Sequence, residues 1–199
     1  MKETLAAIAV ILTFVAYVPY IRSILRGQIK PHVFSWVIWG VTTVFAFLGQ
    51  LAGAGGIGAW PIGVSGVITL YVAFLAWERR ADSTITRLDW VFFAAALMSL
   101  PVWWLTRDPL WAIIILTVVD VLGFGPTFRR AFHIPWGESV PYYVLMAVRN
   151  CIAIGALVTY SWTTVLFPGA IALSCAAFVA MVLWRRRTTP PPAATGVPA

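Results

Sequence analysis

Apolar residues occupy long stretches of this chain, and short polar or basic connections separate them. A helix needs roughly 20 mostly apolar residues to cross the hydrocarbon core of a bilayer. Seven stretches approach that length, and they cover residues 4–24, 33–52, 57–77, 88–106, 109–128, 139–159 and 163–184. The pattern therefore predicts an all-α integral membrane protein with seven transmembrane helices.

The basic residues fall mainly on one side of the predicted spans. Eleven of them lie in the first, third and fifth connections and after the seventh span, whereas only Lys2 and Arg107 lie on the opposite side. Cytoplasmic connections of membrane proteins are enriched in Lys and Arg. We therefore expect the N-terminus outside and the C-terminus in the cytoplasm. The Pro- and Thr-rich tail, 188–199, is expected to be disordered.

The composition indicates the same class of protein. Hydrophobic residues make up 61% of the chain and charged residues 11%, with a mean hydropathy of +0.88, whereas about a quarter of the residues in a soluble domain are charged. Because the basic ends of the spans explain the net charge of +7, we expect no nucleic-acid partner. His32 and His133 have no Cys or carboxylate neighbours at ligand spacing. We expect no metal, no cofactor and no enzymatic activity.

The chain repeats itself at an offset of 107 residues. Residues 13–80 align with 120–187 without a gap, and 12 of the 68 positions are identical. The identities include the pairs Pro19 with Pro126, Arg22 with Arg129, Pro61 with Pro168, and Trp77 with Trp184. A fixed period indicates a duplicated structural unit. The predicted units are a first three-helix bundle (1–80), a linker helix (81–107) and a second three-helix bundle (108–187). Because three is an odd number of spans, the second copy would be inverted without the linker helix, and with it the two copies have the same orientation.

Two segments carry a resemblance to a known family: YVPYIRSILRGQIKPHVFSWVIW (17–39) and FGPTFRRAFHIPWGESVPYYVLM (124–146). The layout resembles that of the SWEET sugar transporters and the wider PQ-loop (MtN3-like) family. In that family a Pro-Gln pair ends the first helix of each bundle, and a basic loop and a Ser follow. Pro19 and Pro126 match the proline, and the remaining matches are Arg22, Lys30 and Ser35 in the first copy and Ser139 in the second.

The chain also departs from the family pattern. Tyr20 and Thr127 replace the Gln, and the sugar-binding Asn of the third and seventh helices has no evident counterpart. The resemblance implies a 3+1+3 arrangement of helices and transport by alternating access. It leaves the identity of the solute open.

Asp120 and Arg149 are the two charged residues deep inside the predicted spans. Asp120 lies about eleven residues into the fifth span and Arg149 about ten into the sixth, so both lie near the bilayer centre at a rise of 1.5 Å per residue. A charge there costs at least about 2.5–3.5 kcal/mol on insertion scales. Because the two residues share one depth on successive spans, we expect them to form an ion pair.

The repeat aligns this charged set with threonines: Asp120 with Thr13, Arg149 with Thr42, and Asn150 with Thr43. Two interpretations are open at this point. The predicted ion pair fastens two helices of one bundle, or it faces a central pathway. In a pathway, Asp120 could take up a proton, or the pair could bind the amine and the carboxylate of a zwitterion.

Aromatic and proline residues add further candidates. Trp36 and Trp39, with Tyr142 and Tyr143, could stack against a sugar or a base, and Trp39 lies deeper than Trp36. Pro19 and Pro126 each lie inside a span near its cytoplasmic end, where proline bends a helix. They are candidate hinges of a gate, with static bends as the alternative.

Taken together, these features predict a transporter in the plasma membrane for a small polar solute such as a sugar, an amino acid or a vitamin-like compound. The candidate binding residues are Asp120, Arg149, Asn150, Thr13, Thr42, Thr43 and Trp39. The expected partners are the solute and the lipid bilayer, and both proton-coupled and passive transport are open. The alternative is a ligand-binding receptor or accessory membrane subunit of the same fold that transports nothing.

Overall fold

Helices account for all of the regular structure in the described part of the chain. The computed structural model describes residues 1–27, 33–79, 87–133, 135–137 and 139–190. Within these ranges the α-helices are α1 (Lys2–Leu25), α2 (Val33–Ala52), α3 (Trp60–Glu78), α4 (Arg87–Thr106), α5 (Pro109–His133), α6 (Val140–Ala156) and α7 (Trp162–Thr188). Two short 3₁₀ helices, Gly56–Ala59 and Pro135–Gly137, precede α3 and α6. The predicted all-α class is confirmed for these residues.

Some predictions fall outside the described residues. They concern Lys30, His32, Arg80 and the tail from residue 191 onward, and the side chains of Ser35, Pro126, Thr127, Arg129 and Arg130. The predicted disorder of the tail 188–199 therefore meets the described structure only at 188–190, where α7 ends at Thr188.

Local chemistry explains several helix ends. After α1, Gly27 adopts φ +71°, a left-handed conformation that glycine reaches without a steric penalty. Pro61 and Pro141 lie in the first turns of α3 and α6, where a missing backbone N–H leaves no hydrogen bond unmade. At the start of α7, Ser161 and Thr164 form a capping box. Three helices thus begin at residues that favour a helix start.

Three predicted C-terminal helix ends differ from the observed ones by three residues or more. The seventh span was expected to end at 184, but α7 continues to Thr188. The fifth span was expected to end at 128, but α5 continues to His133 with residue 126 inside it. The sixth was expected to reach 159, but α6 ends at Ala156 because Leu157 is extended, with ψ 139°. The proline at position 126 therefore does not end α5.

Three of the helical stretches are long and apolar enough to cross a membrane: Lys2–Leu25, Gly56–Glu78 and Trp162–Thr188. Shorter apolar helices cover Trp36–Ala52, Phe93–Thr106, Pro109–Gly125 and Val140–Ala156. Large apolar side chains on the outer surface include Leu173, Trp162 and Leu105, which are each more than 70% exposed. Such a surface is typical of contact with lipid, and the described residues are compatible with membrane integration.

The contacts between helices follow the symmetry of the sequence repeat. α3 packs against both α1 and α2, and α7 packs against both α5 and α6. In addition, α1 lies against α6 and α2 against α5, while α4 lies mainly against α5. Apart from the contacts of α4, the pattern of main contacts is unchanged when α1, α2 and α3 are exchanged for α5, α6 and α7. The candidate site lies where α1 meets α6 and α2 meets α5.

Candidate functional site

Four polar side chains are buried where α1 meets α6 and α2 meets α5. Thr13 and Thr42 are 0% exposed, Arg149 is 2% exposed and Asp120 is 6% exposed. Small residues that let helices approach closely, such as Ala9 and Ala46, are also fully buried at this level of α1 and α2. The four side chains are therefore buried in this conformation, and Asp120 keeps the largest exposed fraction of them.

Arg149 is held by neutral oxygen atoms. Its Nε donates to Thr13 Oγ1 at 3.0 Å, its Nη1 to Asn150 Oδ1 at 2.8 Å, and its Nη2 to the Pro61 carbonyl at 2.9 Å. The Thr13 hydroxyl donates its own proton to the Ala9 carbonyl at 2.9 Å, so its lone pair is free to accept from Arg149. The guanidinium is thus hydrogen-bonded but not neutralised.

Asp120 is held by a single hydroxyl group. Thr42 Oγ1 donates to Asp120 Oδ1 at 2.5 Å, and the same hydroxyl lies 3.0 Å from the Trp39 carbonyl. One hydroxyl proton is therefore shared between two acceptors. Among the described residues, no other side chain donates a hydrogen bond to this carboxylate.

The predicted ion pair between Asp120 and Arg149 is wrong. Among the described residues, all hydrogen bonds of these two side chains go elsewhere, and no carboxylate lies within 4.0 Å of Arg149. The reason is the position of α7, which packs against both α5 and α6. Asp120 on α5 therefore faces α2, and Arg149 on α6 faces α1. Equal depth on successive helices did not bring the two charges together.

The two contacts are equivalent under the repeat. Adding 107 to Thr13 gives Asp120, and subtracting 107 from Arg149 gives Thr42. The bond between Thr13 and Arg149 therefore corresponds to the bond between Asp120 and Thr42. Each contact joins one charged side chain from 108–187 to one threonine from 1–80. We call these two hydrogen bonds the paired contacts.

The other candidate residues take different positions. Asn150 is 1% exposed and supports the guanidinium directly, since its Nδ2 donates to the Met146 carbonyl at 2.8 Å while its Oδ1 accepts from Arg149. Thr43 is buried at 9% exposure but forms no hydrogen bond with the other candidate residues. Trp39 is half-buried, and its ring lies against Phe124 with 6.4 Å between centroids.

An aromatic cluster lies one to two helical turns from the paired contacts. Tyr20 stacks on Trp36 at 5.1 Å, and Tyr142 lies 5.8 Å from both Tyr17 and Tyr20. The Tyr17 hydroxyl also contacts Thr69 Oγ1 at 2.9 Å. Two of the rings predicted to stack on a solute, Trp36 and Tyr142, thus lie against tyrosine rings of α1 in this conformation. They form a layer on the side of the site toward the C-terminal end of α1.

The candidate hinges are placed inside their helices. Pro19 lies within α1 and is exposed, and Ser23 Oγ donates to its carbonyl at 3.0 Å. Position 126 lies within α5, and its side chain is outside the described residues. Their role as hinges stays a prediction.

Sequence reasoning missed two features of the site. The first is the backbone carbonyl of Pro61, which accepts from Arg149. The second is Gly123, where a Cβ atom would lie 2.7 Å from Trp39 Nε1. Only a residue without a side chain lets the indole lie so close to α5. The alignment of Pro61 with Pro168 singled out Pro61, but it did not indicate that the Pro61 carbonyl would bind the side chain of Arg149.

No group of three or more His, Cys, Asp or Glu residues that could hold a metal ion occurs among the described residues. His133 is exposed at the end of α5. Comparison with known proteins found no matching family, no matching curated protein and no matching solved structure.

Proposed function

We propose that the chain is a membrane transporter that carries a small polar solute by alternating access around the paired contacts. In this proposal all seven helices cross the bilayer as two parallel three-helix bundles, 1–80 and 108–187, with α4 as the linker. The N-terminus lies outside and the C-terminus in the cytoplasm, because eleven basic residues fall on one side and two on the other. The plasma membrane is the proposed location.

The observation that supports transport is the state of the two charges. Asp120 and Arg149 are buried and near the middle of their helices, yet neither has a counter-ion among the described residues. A structural ion pair would be expected to join the charges directly. Charged side chains inside a membrane usually mark a pathway for a solute or an ion.

The paired contacts also suit a moving interface. Each one joins a helix of the first proposed bundle to a helix of the second. One hydrogen bond crosses at Asp120, from Thr42, and two cross at Arg149, to Thr13 and to the Pro61 carbonyl. A rocking motion of one bundle against the other would break both contacts and expose both charges. The buried conformation is then the occluded state of the cycle. Coupling to protons through Asp120 stays a prediction.

The alternative function is a receptor or accessory membrane subunit. The observation that favours it is the closed centre, where Thr13 and Thr42 are 0% exposed and Arg149 is 2% exposed. A static protein would keep such a centre closed at all times. Transport and static binding differ in whether solute crosses the membrane.

Solute flux in proteoliposomes distinguishes the two functions. Purified protein should release a trapped mixture of radiolabelled sugars and amino acids faster than empty liposomes do, for at least one component. Saturable binding of a solute without any release would overturn transport in favour of the receptor. Vesicles that contain an unrelated seven-helix protein provide the control for leakage.

A further inference from the structure

Arg149 is a buried cation whose hydrogen bonds do not neutralise it. Its three bonds go to a hydroxyl, an amide oxygen and a backbone carbonyl. A guanidinium stays protonated in proteins and offers five N–H donors in a planar fork. A carboxylate fits that fork with two parallel hydrogen bonds. The charge of Arg149 is therefore suited to a carboxylate that the described part of the chain does not supply.

Asp120 has unused capacity to accept hydrogen bonds. An ionised carboxylate has about four acceptor positions, and the described residues fill one of them, at Oδ1 from Thr42. An ammonium group offers three donors and a positive charge. The carboxylate of Asp120 is therefore suited to an ammonium group.

The separation of the two charges restricts the class of solute. Asp120 and Arg149 do not contact each other, so neither charge neutralises the other directly. A sugar would neutralise neither charge, and a simple anion would leave Asp120 without a partner. A molecule with both an ammonium group and a carboxylate would neutralise both charges and keep the loaded site at zero net charge.

From these three observations we infer that the solute is a small zwitterion, of which the α-amino acids are the simplest. Its carboxylate binds Arg149 and its ammonium group binds Asp120. Both charges lie on helices of 108–187, and their hydroxyl partners lie on helices of 1–80. When the two groups of helices separate, Thr13 and Thr42 leave and the zwitterion takes their places. The inference deepens the proposed transport function and rests on it for the route of entry.

The test compares solutes that differ in charge. Glycine, L-alanine and L-leucine represent zwitterions, D-glucose a neutral solute, L-lactate an anion and ethanolamine a cation. Binding is measured by calorimetry on the purified protein, and flux is measured in proteoliposomes. At least one zwitterion should bind about 30-fold more tightly than lactate and ethanolamine, the size expected when one of two buried charge contacts is lost. Its preference over glucose, which makes neither contact, should be larger still.

Single variants separate the two charge contacts. Asp120→Asn keeps the side-chain shape and should weaken zwitterion binding about 30-fold while leaving lactate binding unchanged within twofold. Arg149→Gln should weaken zwitterion and lactate binding alike. Circular dichroism and thermal unfolding identify a variant that fails to fold, and for such a variant the solute comparison on the unaltered protein still decides.

Each outcome bears on one proposal. Preference for glucose, or binding of no zwitterion, would overturn the inferred solute class. The proposal of transport would then still be tested by whether any of the solutes crosses the proteoliposome membrane. Zwitterion binding without flux would overturn transport and leave the solute class standing. Equal responses of zwitterion and lactate binding to Asp120→Asn would contradict the role of Asp120.

Discussion

Replacing Asp120 by Asn and Arg149 by Gln together will abolish solute flux while the helices stay folded. Asp120→Asn conserves the side-chain shape and keeps an oxygen that can accept from Thr42, and Arg149→Gln removes the charge but keeps a shorter polar side chain. The variant removes one negative and one positive charge, so the net charge of the buried site is unchanged. Loss of both charge contacts should lower flux by at least about 30-fold, since one buried charge contact alone is worth that much.

The measurement is initial uptake into proteoliposomes at matched protein density, with circular dichroism to confirm the helical content. A matched control removes the same two charges at the surface. Arg107 and Asp108 lie in the exposed connection between α4 and α5, and the variant Arg107→Gln with Asp108→Asn should transport normally. Full flux in the Asp120 and Arg149 variant would show that the buried charges only fasten the helices.

Thr13→Val will destabilise the fold much more than the same substitution at Thr117. Valine matches threonine in shape but lacks the oxygen that accepts from Arg149 Nε at 3.0 Å. A buried charged donor without its partner costs about 1–3 kcal/mol or more. The expected result is a clear drop in the midpoint of thermal unfolding, measured in detergent by the loss of helical circular dichroism.

Thr117 is the matched control for that substitution. It is 6% exposed, and its hydroxyl bonds only to the Ile113 carbonyl of its own helix, at 2.6 Å. That carbonyl lies within the helix and has a backbone partner as well, so Thr117→Val should change stability by less than about 0.5 kcal/mol. Equal losses of stability at Thr13 and Thr117 would mean that the contact across the interface contributes nothing.

The sequence predicted which residues form the site but not which of them are hydrogen-bonded to each other. Scarcity of charge in the apolar spans identified Asp120 and Arg149, and the offset of 107 identified Thr13 and Thr42. The repeat did not select the pairing, because exchanging its copies converts one paired contact into the other but equally converts a bond between Asp120 and Arg149 into one between Thr13 and Thr42. Depth alone favoured a bond between the two charges. The observed pairing depends on the packing of α7 between α5 and α6. The order of the helices along the chain does not reveal this packing.

The class of fold was more accessible from the sequence than its details. Long apolar stretches predicted helices, and all regular elements in the described ranges are helical. The end of α6 at Ala156 was not predicted, because the residues that follow are as apolar as those before. The Pro61 carbonyl was also missed, since a backbone acceptor for a side chain on another helix leaves no mark in the sequence.

Access to the paired contacts from each face of the membrane tests alternating access most directly. Thr42→Cys, with Cys151→Ser and Cys175→Ala to remove the native thiols, places one thiol beside Asp120. In sealed vesicles of known orientation, a membrane-impermeant maleimide added to either face should label this thiol, and transported solute should slow the labelling. Labelling from neither face, with full labelling after unfolding, would contradict a pathway that opens between the two groups of helices.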